Sequence, residues 1–527
     1  MSLVTVEGVT LSIGDTPVLN GVSLEIAPGE VLGLVGESGS GKSMTALSVL
    51  KLLPVGARVA GQIAFDGRDI IAASEREMVA LRGDEIGMIF QEPMTALNPL
   101  MTIGDQVAET ARIHTRVGRS EARALAKAML ERVGLPHDRI AHTRYPHELS
   151  GGQRQRVGIA MAVVLRPKLL IADEPTTALD VTTQAQILDL LRGLVRDEGM
   201  ALMLITHDLA VVAGMADSIA VMDKGVVVER GTVLEVLQAP RNAYTKKLIA
   251  ASTHVPVRQR GKQGGALLEV EGLCKDYALP RTSLFGPHET MRAVDHVSFT
   301  IKAGESVGLV GESGSGKSTL ARAILGLETV TAGHVLLKGQ AVHAAGRAAF
   351  ATLRDMQMVF QDPYGSFDPR QKVGRLVAEP LHLLGSGAPK GAALEGRVDS
   401  ALKAVGIEPG MADRYIHEFS GGQRQRIAIA RALIIEPALI VLDEAVSAID
   451  VSVRAQILDL LADLGDRLGH AYLFISHDLG VVRAITDRVL VMAGGKIVEA
   501  GPTADVLERP AHAYTKTLVA AAPRLAG

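Results

Sequence analysis

The sequence predicts an α/β chain of two tandem domains, each a mainly parallel sheet carrying an inserted helical subdomain. Three observations lead there. The phosphate-binding pattern G-x-x-x-x-G-K-[ST] occurs twice, as GESGSGKS at residues 36–43 and again at 311–318, each time between an apolar run and a helix-like segment. Matched residues in the two halves keep one spacing: Gln91 and Gln361, Ser150 and Ser420, Asp173 and Asp443, and His207 and His477 all lie 270 residues apart. Between them, short continuous apolar runs alternate with longer amphipathic stretches, as buried parallel strands and their crossover helices require.

The phosphate loops come first. Glycines let successive backbone N–H groups turn inward, and the following helix adds positive partial charge from its N-terminus. Gly36, Ser38, Gly39, Ser40 and Gly41 would wrap the phosphates of one copy, with Lys42 reaching the β- and γ-phosphates and Ser43 holding Mg²⁺. Gly311, Ser313, Gly314, Ser315, Gly316, Lys317, Ser318 and Thr319 repeat the set. The lysines are 275 residues apart, so the second copy is five residues shorter between lysine and glutamine; Glu7-Gly8 and Glu271-Gly272, 264 apart, place an eleven-residue gain around LPRTSLFGPHE. Indels of loop size in a large repeat indicate two copies of one domain rather than a solenoid.

Strands are expected at residues 86–90, 169–172 and 202–206. Residues 92–148 read differently: EARALAKAMLERVGL is amphipathic with helical period, which marks an inserted helical subdomain, repeated at 362–418. Residues 1–251 and 267–527 are the two domains. Residues 252–266, STHVPVRQRGKQGGA, read as a solvated linker of about 50 Å when extended or about 21 Å as a coil, a tether that favours pairing within one chain.

Composition narrows the function. Hydrophobic residues make up 47% and charged residues 21%, as in globular proteins, and a net charge of −3 gives no bulk attraction to nucleic acid, so no such partner is expected. One cysteine, Cys274, cannot form an intramolecular disulfide or a cysteine-based zinc or iron–sulfur site. The N-terminus has no signal-peptide pattern, and no apolar run approaches the roughly 18 residues of a membrane span. Work at a membrane would need another chain to cross it.

LSGGQ at residues 149–153 and FSGGQ at 419–423 resemble the signature of ABC ATPases, and with the phosphate loops the resemblance spans nearly the whole chain. It implies two tandem P-loop ABC ATPase domains using ATP and Mg²⁺. LLIADE at 169–174 looks like a Walker B strand, so Asp173 would bind Mg²⁺ and Glu174 would orient or deprotonate the attacking water; Asp443 and Glu444 repeat the pair. His207 and His477 resemble switch histidines. Gln91 and Gln361 resemble Q-loop glutamines that also reach the metal, and Asp180 and Asp450 match the D-loop. The family geometry implies that Ser150, Gly151, Gly152 and Gln153 close over nucleotide held by the second half, and that Ser420, Gly421, Gly422 and Gln423 do so for the first.

Two departures stand out. Tyr277 lies where the family stacks an aromatic ring on adenine, but its counterpart is Ile13. A stacking contribution of about 1–3 kcal/mol corresponds to roughly 5- to 150-fold weaker binding at the first site, and the dispersion contacts of Ile13 favour the low end. The second copy also reads DEAV where the first reads DEPT, with both carboxylates kept, so two active but unequal sites are expected.

The tails RNAYT and AHAYT, in stretches 240–250 and 510–520, resemble the HPYT-type tail of dipeptide, oligopeptide and nickel importer ATPases, and the fusion resembles the single-chain ATPases of Yej-type oligopeptide importers and of glutathione importers. The resemblance implies a peripheral subunit at the cytoplasmic face of the cell membrane. It would join two permease subunits on other chains, and indirectly a peptide-binding protein, with the helical subdomains docking the permease. A soluble tandem ATPase acting on ribosomes or DNA, an exporter ATPase, and an importer of nickel or another small solute are the alternatives. Ribosome-type members usually have longer charged linkers, and DNA-repair members have zinc cysteines.

Overall fold

The computed structural model describes residues 2–177, 179–258, 264–279, 289–344, 347–348, 350–362, 365–446 and 449–523, without the side chains of 93, 344, 347–348 and 350–351. Most of the eleven-residue insertion and residues 259–263 of the linker lie outside the described residues. The chain divides into two compact units. The first holds Met1–Leu179 and Thr183–Thr253; the second holds Asp180–Thr182 and His254–Ala522.

In the first unit the phosphate-loop strand Val31–Val35 lies inside a six-stranded sheet. It pairs in parallel with Ala201–Thr206 on one side and Ser218–Asp223 on the other. Leu169–Asp173 and Ile86–Ile89 continue the parallel run, and Val226–Thr232 closes the far edge antiparallel. Every residue of Val31–Val35, Leu169–Asp173 and Ala201–Thr206 is buried, which explains why these segments read as unbroken apolar runs. Side chains alternate between the faces: Leu169 and Ile171 join one core and Leu170 and Ala172 the other. The second unit repeats the order, with Ser306–Val310 between Ala471–Ile475 and Arg488–Ala493.

Each unit also carries a four-stranded antiparallel sheet, which the sequence reading did not separate from the parallel core. In the first it is built on Val4–Ile13 and Thr16–Ile26, where burial alternates residue by residue as expected for a strand buried on one face only. Register shifts interrupt the pairing, so the period-2 signal is broken in the sequence.

The helical subdomain of the first unit contains Ile103–His114 and Arg119–Arg132, packed with the helix Gly151–Val163 around one face of the parallel sheet. In the second unit the matching long helix is shortened to Val373–Ala378 and followed by a 3-10 stretch, Glu379–Gly387. Pro380 accounts for the break, because it has no N–H to continue the helix. Among the described residues no helix is long and apolar enough to cross a membrane.

The stretch read as a solvated linker is partly fastened. Arg258 donates to both carboxylate oxygens of Asp487, at 3.1 and 3.2 Å, to the Ile485 carbonyl at 2.7 Å and to the Ser306 hydroxyl at 3.2 Å. His254 meets Asp459 at 2.6 Å. Beside Arg258 is a cavity of about 230 Å³ that His470 also lines. His470 is buried, with Nδ1 against the Pro437 carbonyl at 2.6 Å and no hydrogen-bond partner for Nε2. Burial holds its pKa below the ordinary value of 6.5. The unfolded chain therefore takes up a proton near that pH while the folded one does not, so stability is lost as pH falls below about 6.5. Urea unfolding between pH 7.5 and 5 is expected to show a steeper acid loss for the natural chain than for His470→Leu.

Candidate active site

The two phosphate loops are built alike. The strand Val31–Val35 delivers Gly36, and the helix Lys42–Val49 begins after Gly41, which sits at φ 101° where a side chain would be strained. A β-carbon on Gly36 would fall 2.3 Å from the Met222 carbonyl oxygen, and on Gly311 2.1 Å from that of Met492, so the loop passes too close to the neighbouring strand for any other residue. Lys42 is only 6% exposed. Its ammonium donates to the carbonyls of Gly36 and Glu37, at 2.8 and 2.9 Å. Lys317 does the same to Gly311 and Glu312, at 2.8 and 2.7 Å. Burial pushes the Lys317 pKa down against the pull of the Glu444 and Asp443 charges. Ser38, Gly39, Ser313 and Gly314 are exposed at the loop tips, Ser40 and Ser315 are buried beneath, and Thr319 lies in the helix Lys317–Ile324.

The carboxylates arrive at the end of the next strand but one in the sheet. Ser43 donates to Asp173 at 3.2 Å, and Ser318 to Asp443 at 3.4 Å. Burial raises the pKa of both aspartates. Glu174 then turns with φ 45°, its amide bonded to the Ile205 carbonyl at 2.9 Å. Its side chain gathers three partners: Gln91 donates at 2.9 Å, Thr177 at 2.8 Å, and His207 Nδ1 stands at 3.3 Å. Burial favours the protonated acid, but the His207 hydrogen bond and charge, with Thr177 and Lys42, prevail and hold Glu174 at about 2. In the second copy Gln361 donates to Glu444 at 2.7 Å and His477 stands at 3.2 Å. Burial opposes ionisation there too, and His477 outweighs it, so Glu444 is lowered. His477 is itself raised: burial disfavours its charge, but Glu444 overcomes that. Each cluster thus sets an ionised carboxylate against an imidazole Nδ1, at 3.3 Å in the first copy and 3.2 Å in the second.

The signature residues have a local duty. Ser150 caps the helix Gly151–Val163 by accepting from the Gln153 amide, while Gln153 Oε1 accepts from the Ser150 amide. Ser420 and Gln423 form the same capping box on Gly421–Leu433. Gly152 and Gly422 approach the next helix closely, where a β-carbon would lie 2.5 Å from a Thr183 methyl and 2.4 Å from one of Val453. Asp180 directly precedes the helix Val181–Glu198, and Asp450 occupies the N-cap position of Val451–Leu468.

Tyr277, near the end of the strand Ala266–Ala278, has its hydroxyl on Glu328 and Lys275 Nζ 5.0 Å from its ring centroid. Ile13 ends the matching strand half-buried, and the residue in the place of Glu328 is Leu53. The substitution is therefore of a pair, tyrosine with its acceptor against two aliphatic residues. Cys274, Asp295 and His296 also come together, but Arg292 and Lys496 already hold Asp295, at 3.3 and 3.2 Å.

The tails carry residues whose contacts were not readable from sequence. Tyr244 Oη accepts from the Glu37 amide at 3.1 Å, and Tyr514 Oη from the Glu312 amide at 2.8 Å. Asn242 Oδ1 caps the tail helix Ala243–Ser252 by accepting from the Tyr244 amide at 2.8 Å; His512 Nδ1 does the same for Ala513–Ala521 at 3.2 Å. The Asn-for-His difference between the copies is thus an exchange of one cap acceptor for another.

Comparison with known proteins places the chain. A family model described as ABC transporter matches residues 19–177 and 294–447, together more than half of the sequence. The chain belongs to the ABC transporter family. It is an ABC-type ATPase with two tandem ATP-binding domains. A second model, for the C-terminal region of oligopeptide/dipeptide transporters, matches residues 228–274 and 498–527, stretches that include the two tails. The peptidoglycan transport ATP-binding protein YejF of Agrobacterium fabrum is 48% identical over 95% of this chain and 92% of its own length. The glutathione import ATP-binding protein GsiA is 48% identical in Salmonella choleraesuis and 46% in Escherichia coli, in both over 95% of this chain and 86% of the relative.

The capping box makes a stability role for the signature serine separable from any role in turnover. Ser420→Ala is expected to lower stability by about 1 kcal/mol, read by urea unfolding, while Ser420→Asn keeps the cap and most of that stability.

Proposed function

We propose that this ATPase powers the import of short peptides. In this reading it sits at the cytoplasmic face of the cell membrane against two permease subunits on separate chains, which a peptide-binding protein supplies. The observation that carries the coupling role is the duplicated cluster: Gln91, Glu174 and His207 in one copy and Gln361, Glu444 and His477 in the other, each within hydrogen-bond reach of the central carboxylate. Neither copy has lost a chemical group, so both hydrolyse ATP. The peptide class is supported by the tails and by the relatives named for peptidoglycan and glutathione transport.

Ser43 and Asp173, and likewise Ser318 and Asp443, bring hard oxygen donors together beside a phosphate loop, the donor chemistry that Mg²⁺ takes. Gln91 and Gln361, hydrogen-bonded to the neighbouring Glu174 and Glu444, would add an amide oxygen. Bound there, the ion would neutralise phosphate charge during transfer. Lys42 and Lys317 hold the β- and γ-phosphates. Glu174 and Glu444, kept ionised, accept a proton from the attacking water while His207 and His477 orient them. The signature residues act on the nucleotide held by the opposite half. Tyr277 stacks on adenine and Ile13 replaces that contact with a weaker one.

ATPase activity of the purified full-length chain, alone and with Lys42→Ala or Lys317→Ala, tests the reading together with co-purification of permease subunits. Loss of most activity in each variant, with permease present, supports it; turnover that requires ribosomes or DNA overturns it. Glu174→Gln with Glu444→Gln is expected to cut turnover by roughly 10²- to 10⁴-fold while ATP still binds. Ile13→Tyr with Leu53→Glu should tighten nucleotide at the first site, read by titration of a Lys317→Ala background; unchanged affinity would mean that other contacts hold the base.

A further inference from the structure

Each tail returns to its own phosphate loop across more than two hundred residues of sequence, and it makes the same contact in both copies. The docking is firm. Glu229 accepts the amides of Arg241 and Asn242, at 2.6 and 3.1 Å, and Glu499 accepts those of Ala511 and His512, at 2.8 and 3.0 Å. Thr245 and Thr515, one residue beyond the tyrosines, are completely buried. The tyrosine hydroxyl is therefore delivered to the loop by a helix that is capped at its start and fixed one residue later.

What the hydroxyl touches matters. Glu37 is the second residue of the phosphate loop, and its carbonyl accepts the Lys42 ammonium at 2.9 Å while its amide donates to Tyr244. Glu312 stands in the same way between Lys317 and Tyr514. One loop residue is thus pinned at its N–H by the tail and at its C=O by the lysine that meets phosphate. Fixing that residue sets where the lysine waits and how the next amides point.

We propose that Tyr244 and Tyr514 are positioning residues of the phosphate loops, so that docking of each tail tunes the affinity of its own loop for a nucleoside triphosphate. This rests on the reading of residues 36–43 and 311–318 as the loops that hold ATP. The tyrosine meets the loop through the Glu37 or Glu312 amide. It acts through the orientation of one peptide, and the tail becomes a lever through which a partner could change ATP affinity without entering the site.

Tyrosine to phenylalanine keeps the ring and removes only the hydroxyl. The full-length chain, its Tyr244→Phe/Tyr514→Phe variant and a Lys42→Ala/Lys317→Ala control would be compared for ATP binding, for KM against kcat, and for thermal midpoint. The expected result is a roughly 3- to 10-fold weaker ATP affinity that falls in KM rather than kcat, with a midpoint within about 2 °C of the natural chain. Unchanged affinity, or a fall in midpoint with KM unmoved, would leave the tail a structural element and overturn the proposal. Binding of ATP by the lysine control at natural strength would instead remove the loop assignment on which it stands. Single substitutions, one copy at a time, keep the test decisive should the pair not fold.

Discussion

Burial of one ammonium group in each half is the constraint from which the site geometry follows. A lysine that is almost wholly out of water must be given acceptors, and in both copies these are carbonyls of its own loop. For the carbonyls to converge, the chain must double back immediately after a buried strand, so close to its neighbour that only glycine fits at the first position. The strand is then held among parallel partners whose ends carry the acidic residues. The same sheet that buries the lysine thereby brings Asp173 and Glu174, or Asp443 and Glu444, to its rim.

Much of this was legible in the sequence, for identifiable reasons. Parallel strands buried on both faces leave continuous apolar runs, so Leu169–Asp173 and Ala201–Thr206 could be placed within a residue or so. Duplication supplied an internal control that raised Asp173, Glu174 and His207 above ordinary strand-end residues. What escaped depends on contacts between segments far apart in the chain. Nothing in RNAYT indicates that its tyrosine reaches an amide 207 residues upstream. Arg258 reads as a linker charge because its partners, Asp487 and Ser306, lie 229 and 48 residues further along the chain. The signature serine and glutamine are different: S-x-x-Q ahead of a helix is a capping pattern readable in one dimension, because both partners lie within one turn.

The copies have diverged in ways that leave the chemistry intact but not the surroundings. Ala445 and Val446, buried directly after Glu444, stand where the first copy has Pro175 and Thr176. Tyr277 with Glu328 answers to Ile13 with Leu53, and Pro380 shortens a helix that runs unbroken in the first unit. These changes fall beside the reacting groups and in the inserted subdomain. The two halves therefore differ around the phosphate-loop strand and in the inserted subdomain while sharing one arrangement of glutamine, glutamate and histidine.

Glu174 and Glu444 share a further property. Both have positive φ, 45° and 48°, a conformation that costs an L-residue with a β-carbon about 1 kcal/mol and that glycine or asparagine adopts more readily. Arg166 and Glu436, also 270 residues apart, both sit at φ 55°, so such turns belong to the repeated backbone; at the glutamates the turn is tied by an amide bonded to the Ile205 or Ile475 carbonyl at 2.9 Å. Glycine at either position would therefore remove the carboxylate and the backbone cost together, so the stability of the fold and the presence of the acid are separable at this one residue.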